Sequence, residues 1–277
     1  MQNKTLTLDQ IQNHWKNWAN KFGTDLRATT KSSTAKQIEI HSLIKTVLSI
    51  KNTLPTGSKV LEIGCGNGHN LLSLYKAFPE FLYSGIDFID EMILSANKNM
   101  AYLNIPSERI KFAFGNVLEL DDDFHNLDLI FTVRCLINLN SDQLQLEAIN
   151  NISKRLKPGG HFIMIENSYD SYDNQNNLRH LVGLQKRTPA NFNHFINDAH
   201  LIKNATNLGL SLLRNENITS LHDLLLYVLV PMINNGEVDY HHPIVNAAAN
   251  LSISISNEGD ELFGNYGQNK LYLFKKV

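Results

Sequence analysis

Residues 60–70, VLEIGCGNGHN, constrain this chain more than any other stretch: a short apolar run ends in glycines at 64, 66 and 68 and passes into a helical pattern. Glycines at alternate positions remove the Cβ atoms that would keep a ligand off the backbone. They also tolerate the positive φ that a tight strand-to-helix turn requires. A small molecule can therefore lie against bare main chain. Asp87 stands 19 residues beyond Gly68, closing a second apolar run in YSGIDF. A carboxylate there can accept both hydroxyl hydrogens of a ribose, which points to an adenosine-type ligand rather than a free phosphate. The dinucleotide fingerprint G-x-G-x-x-G would put its last glycine at position 69, where this chain has His69. With Glu62 two residues ahead of the first glycine, a pyrophosphate docked on the helix N-terminus is disfavoured.

Around that turn, compact apolar runs alternate with helical patterns, which predicts βαβ units and an α/β fold with helices on both faces of a mainly parallel sheet. The expected strands are 60–63, 83–86, 110–114, 127–133 and 161–166, with helices near 69–78, 90–103 and 141–155. Upstream, Trp15, Trp18 and Phe22 fall at roughly helical spacing, and a longer helix is expected over about 35–52, stopped by Pro55 and Gly57. Beyond Glu166 the alternation breaks. The Asn/Asp/Tyr-rich stretch 167–177 reads as a loop, 192–207 as a helix, 210–213 as the start of a strand and 270–275 as a final half-buried strand. Ser220 and Asp223 resemble a capping box opening an apolar helix through about Val230. The expected division is a site-covering N-terminal segment, 1–35, followed by one domain, 36–277, with helical lid insertions at about 168–209 and 219–267.

Lys plus Arg at 25 against Asp plus Glu at 27 leaves a formal charge of −2. That balance gives no broad basic field to hold a polyanion, so a small-molecule substrate is expected and a nucleic-acid partner is not. The longest apolar run, 224–233, has ten residues and contains Pro231. A membrane-spanning helix needs about 20. No membrane association is expected, and the run reads as core or as a homodimer surface. The start, MQNKTLTLDQ, lacks a charged segment followed by an apolar one, which makes the cytoplasm the expected compartment. Cys65 and Cys135 are expected to be reduced there. No His/Cys/Asp/Glu grouping has metal-ligand spacing, so no metal is expected.

Taken jointly, LEIGCGNG, Asp87 and the LKPGG of 156–160 resemble the first motif, the ribose-binding acid and the turn before the fifth strand of class I S-adenosylmethionine-dependent methyltransferases. The resemblance covers about residues 35–167. It implies a Rossmann-like seven-stranded sheet whose last strand is antiparallel, with S-adenosylmethionine across the carboxyl ends of the first two strands. It places Glu62, Gly64, Cys65, Gly66, Asn67 and Gly68 around the methionine part, with Phe88 and Met92 on the adenine. Gly115, Asn116 and Val117 would meet the adenine edge, and Val133 and Arg134 the sulfonium region. Trp18, Arg27 and Thr29 would fold over the cofactor carboxylate.

The reaction so implied is in-line methyl transfer to an oxygen, in preference to a nitrogen, of a small sugar-like acceptor. A base has to project over the carboxyl ends of the fourth and fifth strands or from the lid. Glu166, Asn167, Tyr169, Arg179, His180, Asn193 and His194 qualify by position. His194 is preferred, with Tyr169 and His180 behind it, because an imidazole titrates near neutrality. Where base-methylating relatives carry Asp/Asn-Pro-Pro-aromatic, this chain reads Thr132-Val133-Arg134-Cys135-Leu136. Two other classes stay open: a catalytically silent cofactor-binding regulatory or partner protein, and a nicotinamide-dependent oxidoreductase, which would need the third fingerprint glycine that this chain lacks.

Overall fold

The computed structural model describes residues 5–255 and 260–277. Two helices, α1 (Leu8–Phe22) and α2 (Ser33–Ser49), precede the sheet. Then follow β1 (Lys59–Ile63), α3 (His69–Ala77), β2 (Leu82–Asp87), α4 (Asp90–Tyr102), β3 (Ile110–Phe114) and β4 (Leu127–Val133). The second half carries α5 (Asp142–Arg155), β5 (Leu156–Asn167), α6 (Tyr169–Leu181), α7 (Asp198–Asn207) and β6 (Leu210–Asn217). Last come α8 (Ser220–Leu224), a π-helical turn (Leu225–Leu229), α9 (Val230–Ile233), α10 (Pro243–Ile255) and β7 (Asn269–Lys276).

The seven strands form one sheet in the order β3-β2-β1-β4-β5-β7-β6. β1 pairs parallel with β2 and β4, β2 with β3, and β4 with β5, whereas β7 inserts antiparallel between β5 and β6. The sheet is Rossmann-like with its last strand reversed, as the motifs implied. β4 is buried at every residue, which is why it is largely apolar on both faces, Asp128 and Thr132 apart, and does not alternate. Leu61, Ile130 and Phe162 pack on one face and Val60, Leu129 and Ile163 on the other, so each face has its own core cluster. Strand order reverses between β1 and β4, and a crevice at the carboxyl ends of such a junction is where open α/β sheets take ligands.

Three local expectations change. Residues 169–181 are helical where a loop was expected. The buried face of α6 consists of Ser171, Tyr172, Gln175, Asn176 and Arg179, a helical spacing made of polar side chains that no hydrophobic pattern can reveal. Conversely, the helix expected from 192 begins only at Asp198, capped by the Asn197 side chain. The preceding segment forms a bridge between Ser168 and Ile196 instead. The expected capping box is shifted by one residue: Thr219 is the N-cap of α8, and the Ser220 hydroxyl donates to the Phe263 carbonyl. No described helix is long and apolar enough to cross a membrane.

Candidate functional site

The turn after β1 holds Gly64, Gly66 and Gly68 at φ of +72°, +53° and +85°, a region that L side chains rarely adopt. A Cβ on Gly64 would stand 2.5 Å from the Cys135 sulfur, and one on Gly66 2.7 Å from Thr29 Cγ2. The N-terminal segment therefore closes onto the glycine turn. Asp87 Oδ2 accepts the Gly66 N–H at 2.8 Å and Oδ1 that of Ile89 at 3.0 Å. Burial pushes this carboxyl up to about 6.

These groups open onto a cavity of about 630 Å³. That is ample for a nucleoside-sized ligand with a second molecule beside it. Its floor is the glycine turn with Asp87, Phe88 and Met92, and the stretch 114–118 after β3 forms a side wall. The opposite wall comes from α1, residues 29–36 and the segment 187–193. Trp15 Nε1 donates to Asn138 Oδ1 at 3.0 Å, and Trp18 Nε1 to the Arg27 carbonyl at 2.8 Å. His14 stacks on Phe192 with ring centroids 4.1 Å apart.

On the cavity wall lies an ionic hub that sequence reasoning missed. Glu39, 1% exposed, meets Lys36 Nζ at 2.9 Å and Arg134 Nε at 2.8 Å, and accepts from Asn269 Nδ2 at 2.7 Å. Burial alone would raise the Glu39 carboxyl, yet Arg134 and Lys36 hold it below its ordinary value. Arg134 itself sits in the left-handed backbone region, φ +52°, unusual outside glycine. Lys36 also donates to Asn70, whose Nδ2 donates to Glu62 at 2.8 Å. Desolvation pushes Glu62 above the ordinary carboxylate range.

A second buried chain also went unseen. Asp223 Oδ1 meets His222 Nδ1 at 2.7 Å, His222 Nε2 meets Thr34 Oγ1 at 2.8 Å, and Thr34 meets the Ser32 hydroxyl at 3.0 Å. Ser32 lines the cavity. Asp223 Oδ2 is held by the Thr219 hydroxyl and the Gln268 N–H, so the carboxylate is fixed as an acceptor. Sequence shows only that His222 and Asp223 are neighbours; Thr34 lies 188 residues away.

Of the residues expected around the cofactor, Gly64, Cys65, Gly66, Asn67, Asp87, Phe88 and Met92 line the cavity, as do Gly115, Asn116, Val117, Val133, Arg134, Trp18 and Thr29. Glu62 and Gly68 lie behind this lining, Glu62 turned to Asn70. Arg27 is turned outward, where Asp25 takes it in a two-pronged pair at 2.9 Å on each prong.

The residues expected to supply a base fare differently. None of His194, Tyr169 and His180 lines the cavity. His194 Nε2 is drawn 2.6 Å from Asp142 at the start of α5, while its backbone is pinned to Ile137 and Gln145. The Tyr169 ring packs on His194 and Phe195, and His180 is exposed in the last turn of α6. Glu166 is buried and already accepts from the Thr132 hydroxyl and the N–H groups of Cys135, Leu136 and Ile137. It anchors the connector after β4, with burial pushing its carboxyl up to about 7. Asn167 and Asn193 do reach the cavity.

The match to known proteins agrees with this geometry. The family described as "Methyltransferase domain" matches residues 54–217. The chain belongs to this family, the class I S-adenosylmethionine-dependent methyltransferases. Among curated relatives, an S-adenosyl-L-methionine-dependent Diels-Alderase of Talaromyces variabilis is 33% identical over 116 residues, which is 41% of this chain and 37% of that protein. A demethylmenaquinone methyltransferase of Staphylococcus aureus is 29% identical over 113 residues, 40% of this chain and 44% of that one. The chain thus spans well under two thirds of the length of these relatives. Among solved structures, the magnesium protoporphyrin IX methyltransferase of Synechocystis, with bound S-adenosylhomocysteine, superposes with a TM-score of 0.60. It is 12% identical, covers 97% of both chains, and so shows the shared fold.

The cavity fits the cofactor of this family, S-adenosylmethionine. Asn67, Asn167 and Asn269 line it, and each keeps a buried Oδ1 with no partner among the described residues. Such orphaned acceptors are costly unless a ligand supplies donors. An ammonium, two ribose hydroxyls and an adenine amino group are donors of that kind. Among the described residues there is no cluster of three or more His, Cys, Asp or Glu able to hold a metal ion.

Proposed function

We propose that this protein transfers a methyl group from S-adenosylmethionine to an oxygen, in preference to a nitrogen, of a small sugar-like acceptor. One observation carries this reading: the glycine turn with Asp87 and the polar, aromatic lid wall face the same cavity. Donor and acceptor then meet in one chamber without crossing solvent. S-adenosylmethionine supplies a methyl group on a sulfonium, already a good leaving group, so the chain's main task is alignment.

Alignment can account for as much as about 7 to 11 kcal/mol of barrier reduction. The glycine turn and Asp87 fix the nucleoside, while Val133, Arg134 and Asn138 bound the space beside it. Residues 5–35 form part of the chamber wall through Trp15, Trp18 and Thr29. The proton of an acceptor hydroxyl has a route off the cavity wall, from Ser32 through Thr34 to His222, with Asp223 orienting the imidazole. His222 is a positioning residue in this scheme and does not itself touch the acceptor.

The test is incubation with S-adenosylmethionine bearing a deuterated methyl group and a small-metabolite extract, read by mass spectrometry. A labelled methyl on an oxygen of a small product supports the assignment. Label on nitrogen or carbon, or on a macromolecule, contradicts it. The Talaromyces variabilis relative favours one alternative, cofactor use without methyl transfer. Conversion of a small molecule that carries no label, and that stops when the cofactor is withheld, would establish that alternative.

A further inference from the structure

The lid wall carries an arginine with no acid to answer it. Pro231 has no N–H, so the carbonyl four residues earlier, that of Tyr227, lacks its helical donor and the chain passes through a π-turn. Arg179 fills the gap: its Nη1 donates to the Tyr227 carbonyl and its Nε to the Gln185 carbonyl at 2.8 Å. The segment after α6 is thereby tied to the π-turn. Asn176 then clamps the Arg187 backbone from both sides, accepting its N–H at 2.8 Å and donating to its carbonyl at 3.0 Å.

That clamp places the Arg187 guanidinium carbon 3.4 Å from the Tyr227 ring centroid and 5.3 Å from that of Tyr172, with Nη1 donating to Gln175 at 2.7 Å. Arg187 and both tyrosines line the cavity. Among the described residues no carboxylate lies within 4 Å of either Arg187 or Arg179. Asp223, the acid buried nearest this helix turn, is consumed by His222, Thr219 and Gln268. Asp173 on α6 is exposed, and Asp239 caps the His241 N–H. On the other side of the cavity, Glu39 is already matched by Lys36 and Arg134. Two arginines are thus held together against their mutual repulsion, and one of them has unspent fork donors at the cavity wall.

Taking methyl transfer to a small acceptor as the reaction, we propose that the acceptor is an anion whose carboxylate or phosphate group is held by Arg187. Stacking on Tyr227 fixes the plane of the guanidinium and leaves its edge for a two-point contact with a planar or tetrahedral oxyanion. Hydroxylated sugar acids and sugar phosphates both present that chemistry.

The experiment uses the full chain saturated with S-adenosylhomocysteine and titrates it in a calorimeter with benzoate, inorganic phosphate and, as the neutral control, benzamide. Wild type is expected to bind at least one anion about 10-fold or more tightly than Arg187→Gln does, the value of one charged hydrogen bond, with benzamide indifferent to the change. Arg187→Lys keeps the charge without the fork and should fall between them. Anion binding that is equal in wild type and Arg187→Gln, or absent from wild type, overturns the proposal. Should Arg187→Gln fail to bind S-adenosylhomocysteine, Arg187→Lys decides, with wild-type anion affinity counting against the fork. The labelled-methyl incubation, run on anionic and neutral metabolite fractions, separates the two claims. Label in neutral products overturns the anion assignment alone; label in neither fraction overturns methyl transfer and leaves calorimetry to judge Arg187.

Discussion

Asp87 and Gly66 are joined side chain to backbone: the carboxylate closing β2 accepts, at 2.8 Å, the N–H of the central glycine in the turn after β1. Through its second oxygen the same carboxylate takes the Ile89 N–H at 3.0 Å. One acid therefore sets the spacing between two strand ends, and each oxygen keeps further capacity to accept a ligand hydroxyl. The arrangement costs stability in the free protein, since the charge is buried without a cation.

That cost depends on pH. Asp87 is raised from 3.8 to about 6 in the folded chain. Below about pH 4 both states hold the proton and the folded state suffers no penalty. Between about 4 and 6 the folded state keeps a proton that the unfolded chain has lost, so this group's contribution falls as pH rises. A two-unit shift corresponds to at most about 3 kcal/mol. In thermal unfolding without ligand, Asp87→Ala should gain on wild type steadily from pH 4 to pH 6.5. A gap that is flat with pH would show that the buried charge is not the cause.

Gly66→Ala combines strain at φ +53° with a Cβ 2.7 Å from Thr29 Cγ2. The substitution should destabilise the chain by about 1 to 3 kcal/mol and weaken cofactor binding. Thr29→Ser removes the colliding methyl but leaves the backbone strain. Added to Gly66→Ala, it should recover part of the loss in a double-mutant cycle, with a coupling of about 0.5 kcal/mol or more. Strict additivity in urea unfolding would mean that Thr29 does not press on the turn.

The Glu39 hub gives a prediction of different shape. Glu39→Ala strands Lys36, 3% exposed, beside Arg134, and should cost about 3 to 5 kcal/mol. Removing the two buried charges together, as Glu39→Gln with Lys36→Met, leaves only the partly exposed Arg134 charged and should cost less than Glu39→Ala alone. Urea midpoints at constant m-value are the readout, and a double variant as unstable as the single one would contradict the ionic account.

For the proton route, the readout is kinetic and uses the acceptor found by the labelled-methyl experiment. His222→Gln and Thr34→Val should each lower kcat by about 100-fold while leaving acceptor KM within about twofold. Two variants guard against a folding defect in either. A rise confined to KM, or no change in kcat for both, would remove the chain from catalysis.

The first five strands and the glycine turn were legible because their constraints are local: five of the seven residues of β4 are apolar, and the turn needs glycine for its φ values. Asp87 was legible because a short βαβ unit brings the end of its second strand beside the glycine turn about 20 residues further on. The lid was not. α6 packs through Gln175, Asn176 and Arg179, so its helical period is written in polar residues that composition assigns to a loop. The base candidates lie near the end of β5 in sequence, yet Asp142 draws His194 away from the cavity and the backbone after β4 occupies Glu166. What reaches the wall instead is assembled across the chain. Ser32 reaches His222 through Thr34, and residues 172, 187 and 227 converge, neither of which any short motif records.

Calorimetry of S-adenosylhomocysteine binding to wild type and Asp87→Ala tests the central claim most directly. Wild type is expected to bind, and Asp87→Ala to bind about 100-fold more weakly while still unfolding cooperatively, since two hydroxyl contacts to one carboxylate are lost. Equal affinity in the two proteins, or no heat from folded wild type, would contradict the placement of a nucleoside between the glycine turn and β2.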